Sequence, residues 1–202
     1  MCEIPDTIAN ASTTLLCHSP MPGESGYAGS ETCLGLLSSA GLDATVVLVT
    51  FTCPPAACLE AYPRAVGTDD APSLTVVAVG DASTAADPSI ADVDVDTVST
   101  PSDLTCLGIT LSQELSAADD VVLCFDSLTA LLQNVPVETV YEFLHAVVGQ
   151  LDAADASAHV HLDPTAHDRQ TVDTLAPLFD TVVEVDDGER TVRTRQFSRE
   201  TT

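Results

Sequence analysis

The sequence predicts an α/β domain built on a doubly wound, mostly parallel sheet that ends in an antiparallel hairpin. Continuous apolar, β-branched runs at 44–51, 73–80 and 120–126 are typical of strands that are buried on both faces. Segments with a helical spacing of leucine and valine separate such runs, and Asp187-Gly188 near the C terminus is a strong hairpin signal. Strands that alternate with helices indicate a parallel sheet covered by helices.

The N-terminal half of the chain predicts four more elements. They are a strand at 12–17, a helix at 31–40, a short helix from 55 to about 64, and at 89–100 a segment in which valine alternates with aspartate. Ser30 is a suitable N-cap for the first helix, and Pro54-Pro55 suits the start of the second. The alternating segment is either a half-exposed edge strand or an extended loop.

The C-terminal half predicts helices and one strand before the hairpin. They are a helix at 102–116, a helix at 137–151, a strand at 157–162 and a helix from 164 to about 176. Pro136 suits the first turn of the second helix, and Asp163 is a suitable cap for the last. The pattern predicts a single domain over 12–197, with an N-terminal extension at 1–11 and a C-terminal tail at 198–202.

The charge balance is extreme. The chain has 31 aspartates and glutamates against 6 arginines, no lysine, and a net charge of −25. At about 1 M salt the Debye length falls to about 3 Å, so the self-repulsion of such a surface largely disappears. The composition therefore predicts a halophilic, acidic protein. Because lysine is absent, the chain can neither form a lysine Schiff base nor bind phosphate through a lysine. Affinity for nucleic acids comes largely from basic side chains that neutralise phosphates, so a nucleic-acid partner is not expected.

The cysteines and the lengths of the apolar segments bear on where in the cell the protein is expected. The seven cysteines form no CxxC pair, and Cys17, Cys33 and Cys124 lie in apolar runs, where thiols behave as small hydrophobes. The sequence has neither an 18-residue apolar stretch nor a signal-peptide pattern. We therefore expect a cytoplasmic protein with reduced thiols and no membrane partner.

Residues 18–32, "HSPMPGESGYAGSET", lie between the first predicted strand and the first predicted helix. The glycines at 23, 26 and 29 would let backbone amides gather round an anion. The candidate remnant of a nucleotide-binding loop consists of Gly23, Glu24, Ser25, Gly26 and Ser30.

A second constellation lies in "HVHLDPTAHD", residues 159–168. His159 and His161 alternate on a strand and share a face, and Asp163 and His167 follow closely. Imidazoles with a carboxylate are ligands for zinc or a similar divalent ion, so these four residues are a candidate metal site. The alternative is a hydrogen-bonded histidine cluster at the carboxyl edge of the sheet. His18, which ends the first predicted strand, could lie at the same edge of the sheet.

In the order and spacing of its segments, the chain resembles the core domain of the RecA/KaiC-like ATPases over about 12–197. It is most similar to an uncharacterised haloarchaeal family of degenerate KaiC-like proteins. The segments that carry the resemblance are "VVLVTFTCPP" (46–55), "VVLCFDSLTALL" (121–132), "HVHLDPTAHD" (159–168) and "LFDTVVEV" (178–185). The resemblance implies a RecA-like core with a nucleotide crevice at the carboxyl ends of the strands.

Three positions decide whether the family's activity is expected here. The lysine of a working P-loop is absent, and Thr52-Cys53 stands where KaiC-like ATPases have a glutamate pair. Asp126, followed by Ser127, matches the aspartate of the strand associated with Mg²⁺ in that family. Asp126 also has a plain structural interpretation, as a strand end that caps the following "SLTALL" helix.

The leading hypothesis is a catalytically degenerate RecA/KaiC-like domain that acts as a regulatory or scaffolding protein, with a protein partner or as a homo-oligomer. ATP or ADP with Mg²⁺ would bind weakly at most. The alternatives are a metal-dependent hydrolase or metal sensor that uses the histidines, and a nucleotide-binding switch without turnover.

Overall fold

The computed structural model describes residues 8, 11–18, 31–38, 41, 43–66, 72–84, 93–186 and 189–195. The strands are β1 (Thr13–His18), β2 (Thr45–Thr50), β3 (Ser73–Val79), β4 (Asp94–Val98), β5 (Val121–Asp126), β6 (Ser157–Leu162), β7 (Thr181–Asp186) and β8 (Glu189–Thr194). The helices are α1 (Glu31–Ser38), α2 (Pro55–Val66), α3 (Asp81–Thr84), α4 (Leu104–Ala117), α5 (Leu128–Leu132), α6 (Val137–Ala153) and α7 (Arg169–Leu175). Two 3₁₀ turns cover Pro164–Ala166 and Ala176–Leu178.

The strands form one sheet in the order β4-β3-β2-β5-β6-β1-β7-β8. Neighbouring strands are parallel except β7 and β8, which pair antiparallel as the predicted hairpin. Helices cover both faces of the sheet, which confirms the predicted doubly wound α/β class. The central strands β2 and β5 are buried along nearly their whole length because both of their faces lie under helices.

The larger core lies on the face covered by α4, α5, α6 and α7. Alternate residues of the strands contribute to it, such as Leu123 and Phe125 from β5, and the helices add leucines and valines at helical spacing. Leu107, Leu111 and Leu115 of α4 form one such apolar stripe.

The smaller core lies on the opposite face, under α1 and α2. It receives the other alternate strand residues, including Val122 and Cys124 from β5. Cys33 and Leu37 of α1 pack against them. This core is richer in thiols than the larger one, and it contains the candidate site described below.

The structure decides between two alternatives for one segment and corrects the prediction for another. The segment around 94–98 is a strand at the sheet edge, beside β3, so the edge-strand alternative is confirmed. The helix predicted from 164 to about 176 is wrong as a single element. It is divided into a 3₁₀ turn and α7, because the Asp168 side chain accepts a hydrogen bond from the Thr171 N–H and begins a new helix.

Acidic side chains gather where β4 meets α4. Asp94 and Asp96 are exposed on β4, and Glu114 of α4 is half-buried beside them. Burial and the charge of Asp96 raise the pKa of Glu114 above its ordinary value, although a hydrogen bond with Thr75 lowers it. The ionised form of Glu114 is therefore destabilised in the folded protein.

None of the helices in the described part of the chain combines the length and apolar character needed to cross a membrane.

Two side chains of α4 provide a matched test of the larger core. Leu111 is fully buried, whereas Ile109 is 56% exposed. Leu111→Ala should lower the free energy of unfolding by about 2–5 kcal/mol, because it removes buried methyl groups and leaves a cavity. Ile109→Ala should change it by no more than about 0.5 kcal/mol. Urea unfolding at constant multimolar KCl measures both, and equal losses would contradict the burial assigned to α4.

Glu114→Gln should raise the free energy of unfolding at pH 7 by less than about 1 kcal/mol, as is usual for partly exposed charges. Because the pKa of Glu114 is higher in the folded than in the unfolded protein, its protonation stabilises the fold. That contribution is complete below the unfolded pKa and is lost as the pH rises through the folded pKa. Denaturation at several pH values should show the variant's advantage growing from acid to neutral pH. A constant difference across that range would contradict the assignment.

Candidate functional site

The site is created by the connection from β1 to β2. In the sheet, β6 and β5 lie between these two strands. A connection that contains a helix must therefore pass over β6 and β5, and α1 lies on the face where this crossing occurs. The crossing brings Cys33 of α1 over residues of β5 and β6.

The two strands below α1 present polar side chains on the same face. His159 and His161 are two residues apart in β6 and therefore point to one side. Cys124 of β5 is in register with His159, so it shares that side. With Cys33 they form what we call the thiol–imidazole cluster (Cys33, Cys124, His159 and His161).

The four donor atoms of the cluster all lie within 4.8 Å of one another. The Cys33 Sγ lies 3.2 Å from His159 Nε2 and 3.9 Å from Cys124 Sγ. The Cys124 Sγ is 3.7 Å from His161 Nε2. Two sulfurs and two ring nitrogens therefore converge on one small volume.

The cluster is sealed from solvent. Cys33 and Cys124 are 0% exposed, and His159 and His161 are 2% exposed. Its surroundings in the smaller core are apolar and include Leu16, Leu37, Val46, Leu48 and Val122. Polar groups in such a place must satisfy one another or a shared ligand, because water is excluded.

The residues of the cluster shift one another's pKa values. Burial would raise the pKa of the Cys33 thiol, but a hydrogen bond with Cys124 and the charges of the two histidines outweigh burial and hold it well below its ordinary value. Burial raises the pKa of Cys124, and its hydrogen bond with Cys33 raises it further. Burial lowers the pKa of His161, but the negative charge of Cys33 outweighs this and raises it.

His18 connects the cluster to the carboxyl edge of the sheet. It ends β1 and is half-exposed, and its Nε2 lies 2.9 Å from Nδ1 of His161. The two rings meet edge to face at 5.2 Å between centroids. If His161 uses Nε2 towards the cluster, its Nδ1–H donates to His18, which fixes the tautomer of His161.

Where β2 ends, the chain makes a tight turn between Thr50 and Cys53. The Cys53 N–H donates to the Thr50 Oγ1, and the Thr50 hydroxyl donates to the Cys53 carbonyl, both at 3.0 Å. Thr50 is fully buried and Cys53 nearly so. Burial raises the pKa of Cys53, but its hydrogen bond with Cys58 is the larger effect and lowers it.

Asp126 and Ser127 lie beside this turn at the end of β5. The Asp126 carbonyl accepts a hydrogen bond from the Phe51 N–H at 3.0 Å, and Asp126 is 5% exposed. The cap of α5 is Ser127, whose Oγ accepts from the Ala130 N–H. The interpretation of Asp126 as that cap is therefore wrong, because the helix begins one residue later.

The structure brings together two of the four residues predicted as metal ligands. His159 and His161 belong to the cluster, whereas Asp163 and His167 are not among its donors. The Asp163 carboxylate accepts hydrogen bonds from the Thr165 N–H at 2.9 Å and the Thr165 hydroxyl at 2.7 Å. Asp163 is thus the predicted cap, although of a 3₁₀ turn, and His167 ends that turn. The loop residues Gly23, Glu24, Ser25, Gly26 and Ser30 lie outside the described residues.

Sequence reasoning missed Cys33 and Cys124 as partners of the histidines. They are separated by 91 positions from each other, and no local spacing relates them to His159. The available signal was weak: a thiol in an apolar run is usually a small hydrophobe. The potential contribution of His18 to the same region was anticipated from its place at a strand end.

The fold and the cluster define an α/β domain with a doubly wound, mostly parallel sheet and a buried set of thiol and imidazole donors. The chain belongs to the family described as "Family of unknown function (DUF7504)", whose model matches residues 12–185. No curated protein matches it.

A similar fold occurs in a solved structure from Pyrococcus horikoshii OT3, described as a structural study of Project ID PH0250. The TM-score is 0.57 and the sequence identity is 14%, and the match covers 93% of this chain and 88% of that one. At this identity the likeness bears on the fold alone.

Asp163→Ala should lower the free energy of unfolding by about 1 kcal/mol, because the N–H and the hydroxyl of Thr165 lose their acceptor. Asp163→Asn is the matched control, since its side-chain oxygen can still accept from Thr165, and it should retain most of the stability. Urea unfolding at fixed KCl distinguishes them. If alanine and asparagine behave alike, the capping role is contradicted.

Proposed function

We propose that this protein is a RecA/KaiC-like domain that does not hydrolyse nucleotides and acts as a regulatory or scaffolding protein through protein contacts. The observation that carries the proposal is the turn that follows β2. The position of a catalytic acid is occupied by Cys53, whose N–H and carbonyl are both bonded to the hydroxyl of Thr50. In the RecA/KaiC-like ATPases that the sequence resembles, a glutamate pair follows the second strand, where this chain has Thr52-Cys53.

The charges of the chain support the absence of turnover. Phosphoryl transfer depends on cations that neutralise the developing charge, and the chain has no lysine. Arg169 pairs with Asp173 on the exposed side of α7, and Arg193 pairs with Glu184 on the terminal hairpin.

A metal sensor is a second candidate function, favoured by the cluster. A metal-dependent hydrolase is less well supported, because a catalytic zinc needs a coordination position open to water or substrate. The four donors of the cluster are buried and would fill a tetrahedral shell themselves.

The purified chain in multimolar KCl should turn over ATP with Mg²⁺ no faster than the buffer background. Asp126→Ala should leave this rate unchanged, because the sequence has no P-loop lysine and has Thr52-Cys53 in place of the glutamate pair. A phosphate-release assay measures turnover, and Asp119→Ala, at an exposed position before β5, is the control. Turnover that is lost in Asp126→Ala and retained in Asp119→Ala would contradict the proposal.

Thermal unfolding with millimolar ATP or ADP tests binding without turnover. A ligand present at 100 times its Kd would stabilise the protein by about 2.7 kcal/mol, so an unchanged Tm excludes tight binding. A clear rise in Tm without hydrolysis would instead favour the nucleotide-switch alternative. The scaffolding role would be contradicted by a chain that sediments as a monomer and forms no specific crosslink to another protein in a host extract at the same salt.

A further inference from the structure

We propose that Cys33, Cys124, His159 and His161 bind one zinc ion in a closed, four-coordinate structural site. The proposal concerns a ligand of the smaller core and does not depend on the proposed function. The observation that carries the proposal is the convergence of four donor atoms from three separate elements, α1, β5 and β6.

The distances fit a tetrahedral zinc ion. With Zn–S of about 2.3 Å and Zn–N of about 2.0–2.1 Å, the edges of the tetrahedron are about 3.8 Å between sulfurs and about 3.5 Å between sulfur and nitrogen. The separation of Cys33 Sγ and Cys124 Sγ is 3.9 Å, and the two sulfur–nitrogen distances are 3.2 and 3.7 Å. The remaining pairs of donor atoms also lie within 4.8 Å of one another, so a modest contraction of the cluster would bring the four donors around one centre.

The chemistry of the donors selects the ion. Two thiolates and two imidazoles in a tetrahedron are typical of zinc, whereas magnesium and calcium prefer oxygen ligands. Two thiolate charges neutralise the charge of Zn²⁺, so the loaded site carries no net charge. A neutral site suits the apolar surroundings, where an uncompensated charge would be costly.

The environment supports a structural role for the ion. All four residues are buried, so no coordination position is open to solvent. The Nδ1 of His161 lies 2.9 Å from His18 Nε2, an outer hydrogen bond of the kind that orients a metal-binding imidazole. The ion would join α1 to β5 and β6. Because α1 has only eight residues and such a short helix is marginal alone, this link would stabilise it considerably.

The alternative is a metal-free cluster held by hydrogen bonds. It is less favourable, because a thiol is a weak donor and a weak acceptor. His159 has Cys33 Sγ within hydrogen-bond distance of its Nε2, and the two sulfurs are 3.9 Å apart. These weak bonds offset little of the cost of burying the two thiols and His159, whereas His161 also has a hydrogen bond with His18 at 2.9 Å.

The test uses the full chain, expressed with zinc in the medium and purified without chelator under reducing conditions in multimolar KCl. Elemental analysis by mass spectrometry should find about one zinc per chain. A strong chelator should remove it and lower the Tm, and added Zn²⁺ should restore the Tm.

Variants locate the ion. Cys33→Ser and His161→Gln should each lose most of the bound zinc. Cys17→Ser is the matched thiol control, because Cys17 is buried in the larger core on the opposite face. His167→Gln is the histidine control, and both controls should retain the full zinc content.

A measurement on the wild-type protein guards against variants that fail to fold. Co²⁺ added to the reduced, chelator-treated protein should give the intense visible absorption of a tetrahedral site together with sulfur-to-cobalt charge transfer. The bands should saturate at about one equivalent and disappear when Zn²⁺ is added.

Two results would overturn the proposal: a chain that contains no zinc and shows no tetrahedral cobalt spectrum, or zinc retained equally by the cluster variants and the controls. His18→Ala provides an independent check on the outer hydrogen bond. It should leave the stoichiometry intact and weaken zinc affinity by about 10- to 100-fold in a competition with a chelating dye. An unchanged affinity would remove His18 from the site.

Discussion

Four polar donors buried beneath a short helix are the constraint on which the smaller core depends. Each thiol or imidazole alone would be costly in a volume lined by leucine and valine. Together they satisfy one another, and their spacing suits a single tetrahedral ion. Cys33 of α1 contacts His159 and Cys124 of the two strands below, and Leu37 adds apolar packing between the helix and the sheet.

The order of the strands makes this arrangement possible. Since β5 and β6 lie between β1 and β2, the helix that follows β1 must cross both. This helix carries Cys33, and His18 at the end of β1 bonds to His161 of the cluster.

The buried cluster and the protein surface differ in charge and in how strongly salt screens them. The cluster is compact and would be neutral around zinc, whereas the rest of the chain carries a net charge of −25. Concentrated salt screens the exposed charges, because the Debye length at about 1 M is only about 3 Å. It screens a buried site much less, so the same medium that relieves the surface leaves interactions inside the cluster largely intact.

The sequence alone determined the class of fold. The β-branched runs, the helical spacing of α6 and the Asp187-Gly188 turn are local patterns, so they predicted strands, helices and the hairpin correctly. Period-two alternation also placed His159 and His161 on one face. The division of the 164–176 segment was missed because a second capping aspartate, Asp168, competed with the first.

Only the tertiary structure decided which residues join those histidines. Asp163 is a candidate ligand and a candidate helix cap by sequence, and the structure shows the cap, because its carboxylate accepts hydrogen bonds from Thr165. Cys33 and Cys124 come from elements far apart in the chain, and they meet because the sheet order takes α1 over β5 and β6. Periodicity determines which face of an element a side chain occupies, but the strand order and the path of the connections determine which faces meet.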